Sequence, residues 1–177
     1  MHKNTNKHLK NTVYTGLFSA FVAVATMIAV PSGIGYVNSG DIAVILGAFI
    51  LSPAQATIAA GLGSALADLI NGYAIYVPAT FVIKACMALC AHFIKKWLVR
   101  MHTKDVIAAT VAAVCAELVM AFGYISYEWT VMGYGAAALA GVWGNFVQGG
   151  FGIVGGVALY FILGKVFSKT NYFNSDT

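Results

Sequence analysis

Lys95-Lys96-Trp97-Leu98-Val99-Arg100-Met101-His102-Thr103-Lys104 separates two long apolar runs, and its reading decides the fold. Four of the chain's ten basic residues stand in this one break. Working outward, Lys3, Lys7 and Lys10 precede the first apolar run, and Lys165 and Lys169 follow the last. The remaining breaks carry Asp41, Asp68 and Glu128 and no Lys or Arg. Loops rich in Lys and Arg stay on the cytoplasmic face of a membrane, so the three basic segments belong on one side. Five crossings would split them, whereas six unite them.

A bilayer is implied by composition. Hydrophobic residues make up 60% of the 177 and charged residues 9%, against about 25% charged in a soluble domain. The expectation is an all-α integral membrane protein with six transmembrane helices and both termini cytoplasmic. It is organised as one membrane domain over 1–177: a tail at 1–11, a six-helix bundle at 12–168 and a tail at 169–177.

A crossing helix needs about 20 mostly apolar residues. Val13–Val30, Gln55–Asn71, Val77–Ile94, Val106–Tyr124 and Tyr134–Leu163 meet that need. Val13–Val30 exceeds the roughly 7–15 apolar residues of a signal-peptide core, so it is read as a retained helix. Ile42–Leu51 is the short one, rising only about 15 Å as a helix. It must borrow Asp41 and Ser52 at its ends or cross where the protein is thin. Ser52-Pro53 is a good helix start, Ser capping an orphan amide and Pro having none to cap. The last run is long for one span, leaving Tyr134–Ala140 available to the external connection.

No G-x-x-x-x-G-K-[ST] sequence occurs, so the chain carries no P-loop. Its basic residues are dispersed without an aromatic platform, which suits anionic lipid and an acidic partner rather than nucleic acid. Cys86, Cys90 and Cys115 lie inside apolar runs and read as small buried hydrophobes.

Ionisable residues at membrane depth are costly and mark functional sites. Asp68 lies at the outer end of its span. Lys84 is about 10 Å below the outer end of the fourth, and Glu117 about 20 Å above the cytoplasmic end of the fifth. All belong to the outer half, which describes a pocket open outside and closed below rather than a channel. Asp68 is either a solvated helix end or a site residue, and Lys84 either snorkels or enters the pocket. Glu117, flanked by Ala116 and Leu118, needs a partner, either Lys84 or a ligand. Asn145 and Gln148 share a helix face, fit either for a hydroxylated heteroaromatic ring or for interhelical hydrogen bonds. Tyr36, Tyr73, Tyr76, Tyr124, Tyr127, Trp129, Tyr134 and Trp143 concentrate on the outer side. An interfacial belt accounts for most of them, with some free to stack on a planar ligand.

Small residues recur at helical spacing: Ala56, Ala60, Gly63 and Ala67, then Gly144, Gly152 and Gly156 around Gln148. Both stripes read as bundle packing. Gly16, Ser19, Ala20 and Ala23 form a flat patch on the first helix, suited to internal packing or to a partner's helix.

Three segments in order resemble the substrate-binding S components of energy-coupling factor (ECF) vitamin transporters. They are Val37-Asn38-Ser39-Gly40-Asp41 with a short apolar helix and Ser52-Pro53; Gly61 to Asp68 with Gly72-Tyr73-Ala74-Ile75-Tyr76-Val77-Pro78 leading to Lys84; and Gly144-Asn145 with Gln148. The similarity spans about residues 13–165. It implies a subunit of the prokaryotic plasma membrane that captures a vitamin from outside and works with a transmembrane T subunit and two ATPases. It also implies docking of the T subunit on the first helix, where Gly16 and Ser19 depart from the family's Ala-rich motif. The run from Asp68 to Lys84 is most similar to members assigned to pyridoxine-type or hydroxymethylpyrimidine-type substrates, with riboflavin and pantothenate members sharing parts of it. No paired Arg clamp for a carboxylate or phosphate is present, in keeping with such rings.

The expected substrate-binding residues are Asn38, Asp41, Asp68, Tyr73, Tyr76, Lys84, Glu117, Tyr124, Asn145 and Gln148. No cofactor and no metal are expected. A membrane enzyme is the alternative from another class, but His2, His8, His92 and His102 all fall in or near cytoplasmic segments. An autonomous facilitator is the third reading, opposed by the one-sided polarity.

Overall fold

The computed structural model describes residues 2–31 and 36–169, with side chains over 8–31 and 36–165. Six α-helices run along it: α1 (His2–Met27), α2 (Gly40–Ile50), α3 (Pro53–Ile70), α4 (Val77–Arg100), α5 (Asp105–Thr130) and α6 (Val142–Lys169). Residues 32–35, between the first two expected spans, and 170–177 of the expected carboxyl tail lie outside the described residues.

This is an all-α membrane protein in architecture. Ala74–Arg100, Asp105–Thr130 and Gly135–Lys165 are each long and apolar enough to cross a bilayer. The 26 residues of α1 and the 18 of α3 are diluted by polar groups, the amino-terminal third of α1 and Gln55 and Asp68 in α3. At 11 residues α2 rises only about 16 Å. It resolves the short span by burial: α2 packs against α1, α3, α4 and α6, and Ala43 to Ala48 are all buried. Surrounded by protein, it needs no bilayer-length apolar surface.

Two local features differ from the expected outline, and a third follows it. The stretch expected as a tail at 1–11 is helical from His2, because nothing in it is Gly or Pro and the helix propagates. The connection from α1 to α2 contains two short strands, β1 (Ala29–Pro31) and β2 (Tyr36–Asn38), antiparallel with Ala29 opposite Asn38. Before α6, Gly135–Gly141 forms a 3-10 helix, so the long last run divides where the Tyr134–Ala140 reading divides it.

Small side chains set the packing, since lipid provides little hydrophobic drive for helix association. A Cβ at Gly63 would come within 2.5 Å of the Ser19 carbonyl oxygen, so α3 lies directly on α1. At Gly156 it would meet Ile45 Cγ2 at 2.7 Å, so α6 lies as closely on α2. Ala88, Ala91, Ala113 and Ala116 fill the α4–α5 contact with Met87 and Met120. Leu17, Val24, Leu62, Phe122 and Phe151 point outward, a surface suited to acyl chains. Ser52 and Gln55 form a full capping box at the start of α3, with Pro53 at the first helical position. At its other end Gly72, at φ +84°, turns the chain towards α4 at a backbone angle other residues rarely adopt.

Short connections make successive helices alternate in direction. The carboxyl ends of α1, α3 and α5 therefore gather with the amino ends of α2, α4 and α6. Lys95, Lys96, Arg100 and Lys104 lie at the opposite end.

Candidate functional site

At the end away from the basic cluster the helices splay around a cavity of about 450 Å³, its mouth included. Every helix but α2 contributes to its lining. Tyr76, at the N-cap of α4, and Thr80 and Lys84 within it follow at four-residue spacing, a single stripe. Tyr124 and Glu128 hold the same relation on α5, and Asn145 and Gln148 are three apart on α6. Thr26 closes α1, Asp68 comes from the last turn of α3, and β2 brings Tyr36 and Asn38 over the top.

Lys84 is the centre of the floor. Its side chain is 2% exposed and pairs with Asp41 in the first turn of α2, itself fully buried. Gln148 Nε2 donates to the second Asp41 oxygen at 2.5 Å. The Gln148 carbonyl then accepts from Asn38 twice, from the backbone amide at 2.9 Å and from Nδ2 at 3.0 Å. Asn38 Oδ1 in turn accepts from the Gly40 amide at 2.8 Å, closing the entry to α2. A chain of hydrogen bonds thus runs from α4 through α2 and α6 to β2. Such a network satisfies each member and fixes their relative positions.

Elsewhere satisfaction is incomplete. Asp68 Oδ1 accepts from the Tyr36 hydroxyl, but Oδ2 is buried with no hydrogen-bond partner among the described residues. Glu128 accepts from Tyr76 at 3.1 Å through Oε1, while Oε2 has none. Both Glu117 oxygens are without a hydrogen-bond partner among the described residues. Burial, and next the hydrogen bond to Asp68, lifts the Tyr36 phenol above its ordinary range, so it stays a donor. Thr80 Oγ1 and the Tyr124 hydroxyl are 3.0 Å apart. Tyr36, Tyr73, Tyr76 and Tyr124 form a continuous aromatic wall, with successive ring centroids 4.7, 6.3 and 6.3 Å apart.

Eight of the ten residues expected at the site line this cavity. Asp41 and Glu117 do not. Asp41 lies beneath the floor as the Lys84 partner, and Glu117 sits deeper, against Gly149 and Gly152 of α6. Lys84 therefore pairs with Asp41 and not with Glu117. Thr26, Tyr36, Thr80 and Glu128 also line the cavity and were not among the expected residues. Glu128, read from sequence as a loop charge, is in the last turn of α5 and 4% exposed. Its signal was available, because Glu117, Tyr124 and Glu128 are separated by seven and four residues and share a face. Thr80 likewise completes the stripe from Tyr76 to Lys84.

On α1, Gly16 and Ala20 are exposed, and a Cβ at Gly16 would meet nothing within 4 Å. Ser19 is half-buried with its hydroxyl donated to the Thr15 carbonyl at 2.8 Å, and Ala23 faces inward at 5% exposure. The open part of the small-residue patch is thus Gly16 and Ala20. Cys86, Cys90 and Cys115 are free, with Cys86 exposed. No group of three His, Cys, Asp or Glu side chains placed to hold a metal occurs among the described residues.

Residues 6–165 match the family described as ECF-type riboflavin transporter, S component. The chain belongs to that family. S components are substrate-binding subunits of vitamin importers and not enzymes. This S component is also 35% identical over 147 residues to a Pyrococcus woesei protein described as "Uncharacterized protein in gap 3'region", covering 81% of this chain and 95% of the relative.

Proposed function

We propose that this S component captures a small planar vitamin in the tyrosine-walled cavity and hands it to a T subunit driven by two ATPases. One observation carries the reading. A bundle of apolar helices encloses a cavity lined by Asp68, Lys84, Glu128, Asn145 and tyrosines at the end opposite the Lys/Arg cluster. With the basic end on the cytoplasmic side, the cavity opens outward, both termini are inside and the six helices cross the prokaryotic plasma membrane. Asn145 carries no side-chain hydrogen bond among the described residues, which leaves its amide for a ligand. Asp41 then acts through the floor, holding Lys84 and Gln148 in place.

A single ring of the pyridoxine or hydroxymethylpyrimidine type is favoured by the run from Asp68 to Lys84, which resembles that of members for such substrates. Riboflavin, the vitamin named in the family's description, is the second reading. Protein purified in detergent from cells grown in rich medium, then denatured, should release a stoichiometric small molecule identifiable by mass spectrometry. A B6-type or pyrimidine compound supports the first reading and a flavin the second. An empty protein that also binds no member of a vitamin panel refutes capture.

The exposed Gly16 and Ala20, beside Ser19 and over the inward Ala23, are proposed as the T-subunit docking surface. Ala20→Trp should leave ligand affinity unchanged and prevent co-purification of the complex. Intact co-purification would remove α1 as that surface.

A further inference from the structure

We propose that the cavity selects a positively charged ligand: a planar ring bearing a protonated amine or another cationic nitrogen, whose N–H groups meet Asp68 and Glu128. This rests on the capture reading above and narrows its substrate class.

Charge count is the first ground. Asp68, Glu128 and Lys84 are the charged side chains lining the cavity. The Lys84 ammonium is already taken up by Asp41. Two carboxyl groups therefore face the cavity without an ion pair of their own among the described residues. Tyrosine hydroxyls donate to one oxygen of each, from Tyr36 to Asp68 and from Tyr76 to Glu128, but a hydroxyl supplies a proton to share and no compensating charge.

Geometry is the second. Asp68 and Glu128 are 3% and 4% exposed, and Asp68 Oδ2 and Glu128 Oε2 each lack a partner. Buried carboxylate oxygens are ordinarily hydrogen-bonded, so these two are acceptors left without a donor, on residues that line the cavity. Charge-assisted N⁺–H···O⁻ bonds fill such positions better than neutral donors.

The third is the wall. Tyrosine ring faces attract cations, and Lys84 Nζ already stands 5.6 Å from the Tyr124 centroid. The two carboxylates stand among these tyrosines, each hydrogen-bonded to one of them, so an organic cation in the cavity gains from both. An anionic ligand would be repelled, and a neutral one would leave the carboxylate charge uncompensated.

Isothermal titration of the full-length protein in detergent at pH 7 tests this with matched probes. Pyridoxamine and pyridoxine share a ring and differ by an aminomethyl against a hydroxymethyl group. Thiamine and riboflavin supply a cationic and a neutral vitamin of larger size. The cationic member of a pair should bind on the order of tenfold tighter or more. Glu128→Gln and Asp68→Asn should each shrink that preference to within about threefold, since both keep the shape and remove the charge. Riboflavin or pyridoxine binding as tightly as its cationic counterpart to the wild-type protein overturns the inference and leaves capture standing. So does a preference that survives both substitutions. If neither variant folds, the wild-type comparison decides alone. Binding of none of the four probes by helical, monodisperse protein overturns this inference, whereas the capture reading falls only if the protein also releases no small molecule and binds no member of the vitamin panel.

Discussion

Both ends of the bundle hold a lysine between an aspartate and a tyrosine, yet the two arrangements do opposite things. Lys84 and Asp41 are 2% and 1% exposed, with Tyr124 at 5.6 Å from the ammonium. At the basic end Lys95 and Asp105 are 2.8 Å apart and 14% and 43% exposed, with the Tyr160 ring centroid at 4.4 Å. Tyr160 there donates to Asp105 at 3.0 Å and accepts from Lys95 at 2.9 Å. The chemistry is the same and the dielectric is not. A sealed pair costs more in desolvation than its attraction returns, unless every remaining lone pair is satisfied. An open pair costs little and contributes little. A sealed pair is therefore weak evidence of stability and stronger evidence that something must be held in register. Here that is the route from Lys84 through Asp41 and Gln148 to β2 above the cavity.

The largest effect expected from this contrast is at Lys84. Lys84→Met strands the Asp41 carboxylate without a cation and should cost about 3–5 kcal/mol, the usual result of breaking a buried pair from one side. Thermal unfolding in detergent, read by intrinsic fluorescence, measures it. Adding Asp41→Asn to Lys84→Met should recover most of that loss, while ligand binding, which Lys84→Met should weaken by removing a cavity-lining side chain, is not restored. A double variant that binds normally would show the pair to be packing alone. A single variant as stable as wild type would erase the difference between the ends.

A smaller effect should follow from loosening the element that connects the ends. α2 carries Asp41 in its first turn, and near its far end the Ala48 carbonyl accepts from His92 Nδ1 at 3.0 Å. α6 approaches α2 through Gly156, where an added Cβ would lie 2.8 Å from Ile45 Cβ. Gly156→Val should therefore destabilise the bundle by about 1–3 kcal/mol through overpacking. It should also weaken ligand binding, because moving α6 carries Gln148 away from Asp41. Destabilisation with unchanged affinity would show that the Gln148–Asp41 bond does not set the cavity.

How much of this was legible in the sequence depends on how local each feature is. The helices, the Ser52–Gln55 cap and the stripe containing Tyr76 and Lys84 follow from residue order and 3.6-residue periodicity alone. Partner choice does not. Asp41, Asp68 and Glu117 were all available to Lys84. Which one meets it is set by how far the short α2 is sunk among its neighbours, a tertiary quantity. The two strands were missed because three residues each are too few to show alternation. Glu128 was misread because a carboxylate in the last turn of an apolar helix resembles a loop charge until its face is compared with that of Glu117 and Tyr124. Ala23 was grouped with Gly16 and Ala20 by spacing, but the side of α1 that α3 covers includes it.

The smallest effect should come from the open end, where it is most informative. Lys95 pairs with Asp105 across the α4–α5 turn, in contact with Tyr160 of α6 and 5.5 Å from the Phe49 centroid. Partly exposed pairs typically contribute within about 1 kcal/mol, and the lysine stem packs on apolar surface that a methionine also covers. Lys95→Met should consequently lower the unfolding midpoint only slightly and leave ligand affinity unchanged. The same substitution at Lys84 is expected to be several-fold more costly, so the two variants measured side by side isolate burial as the variable. If Lys95→Met proved as damaging as Lys84→Met, the basic end would hold the bundle together as firmly as the cavity end. The contrast in exposure would then not translate into a contrast in energy.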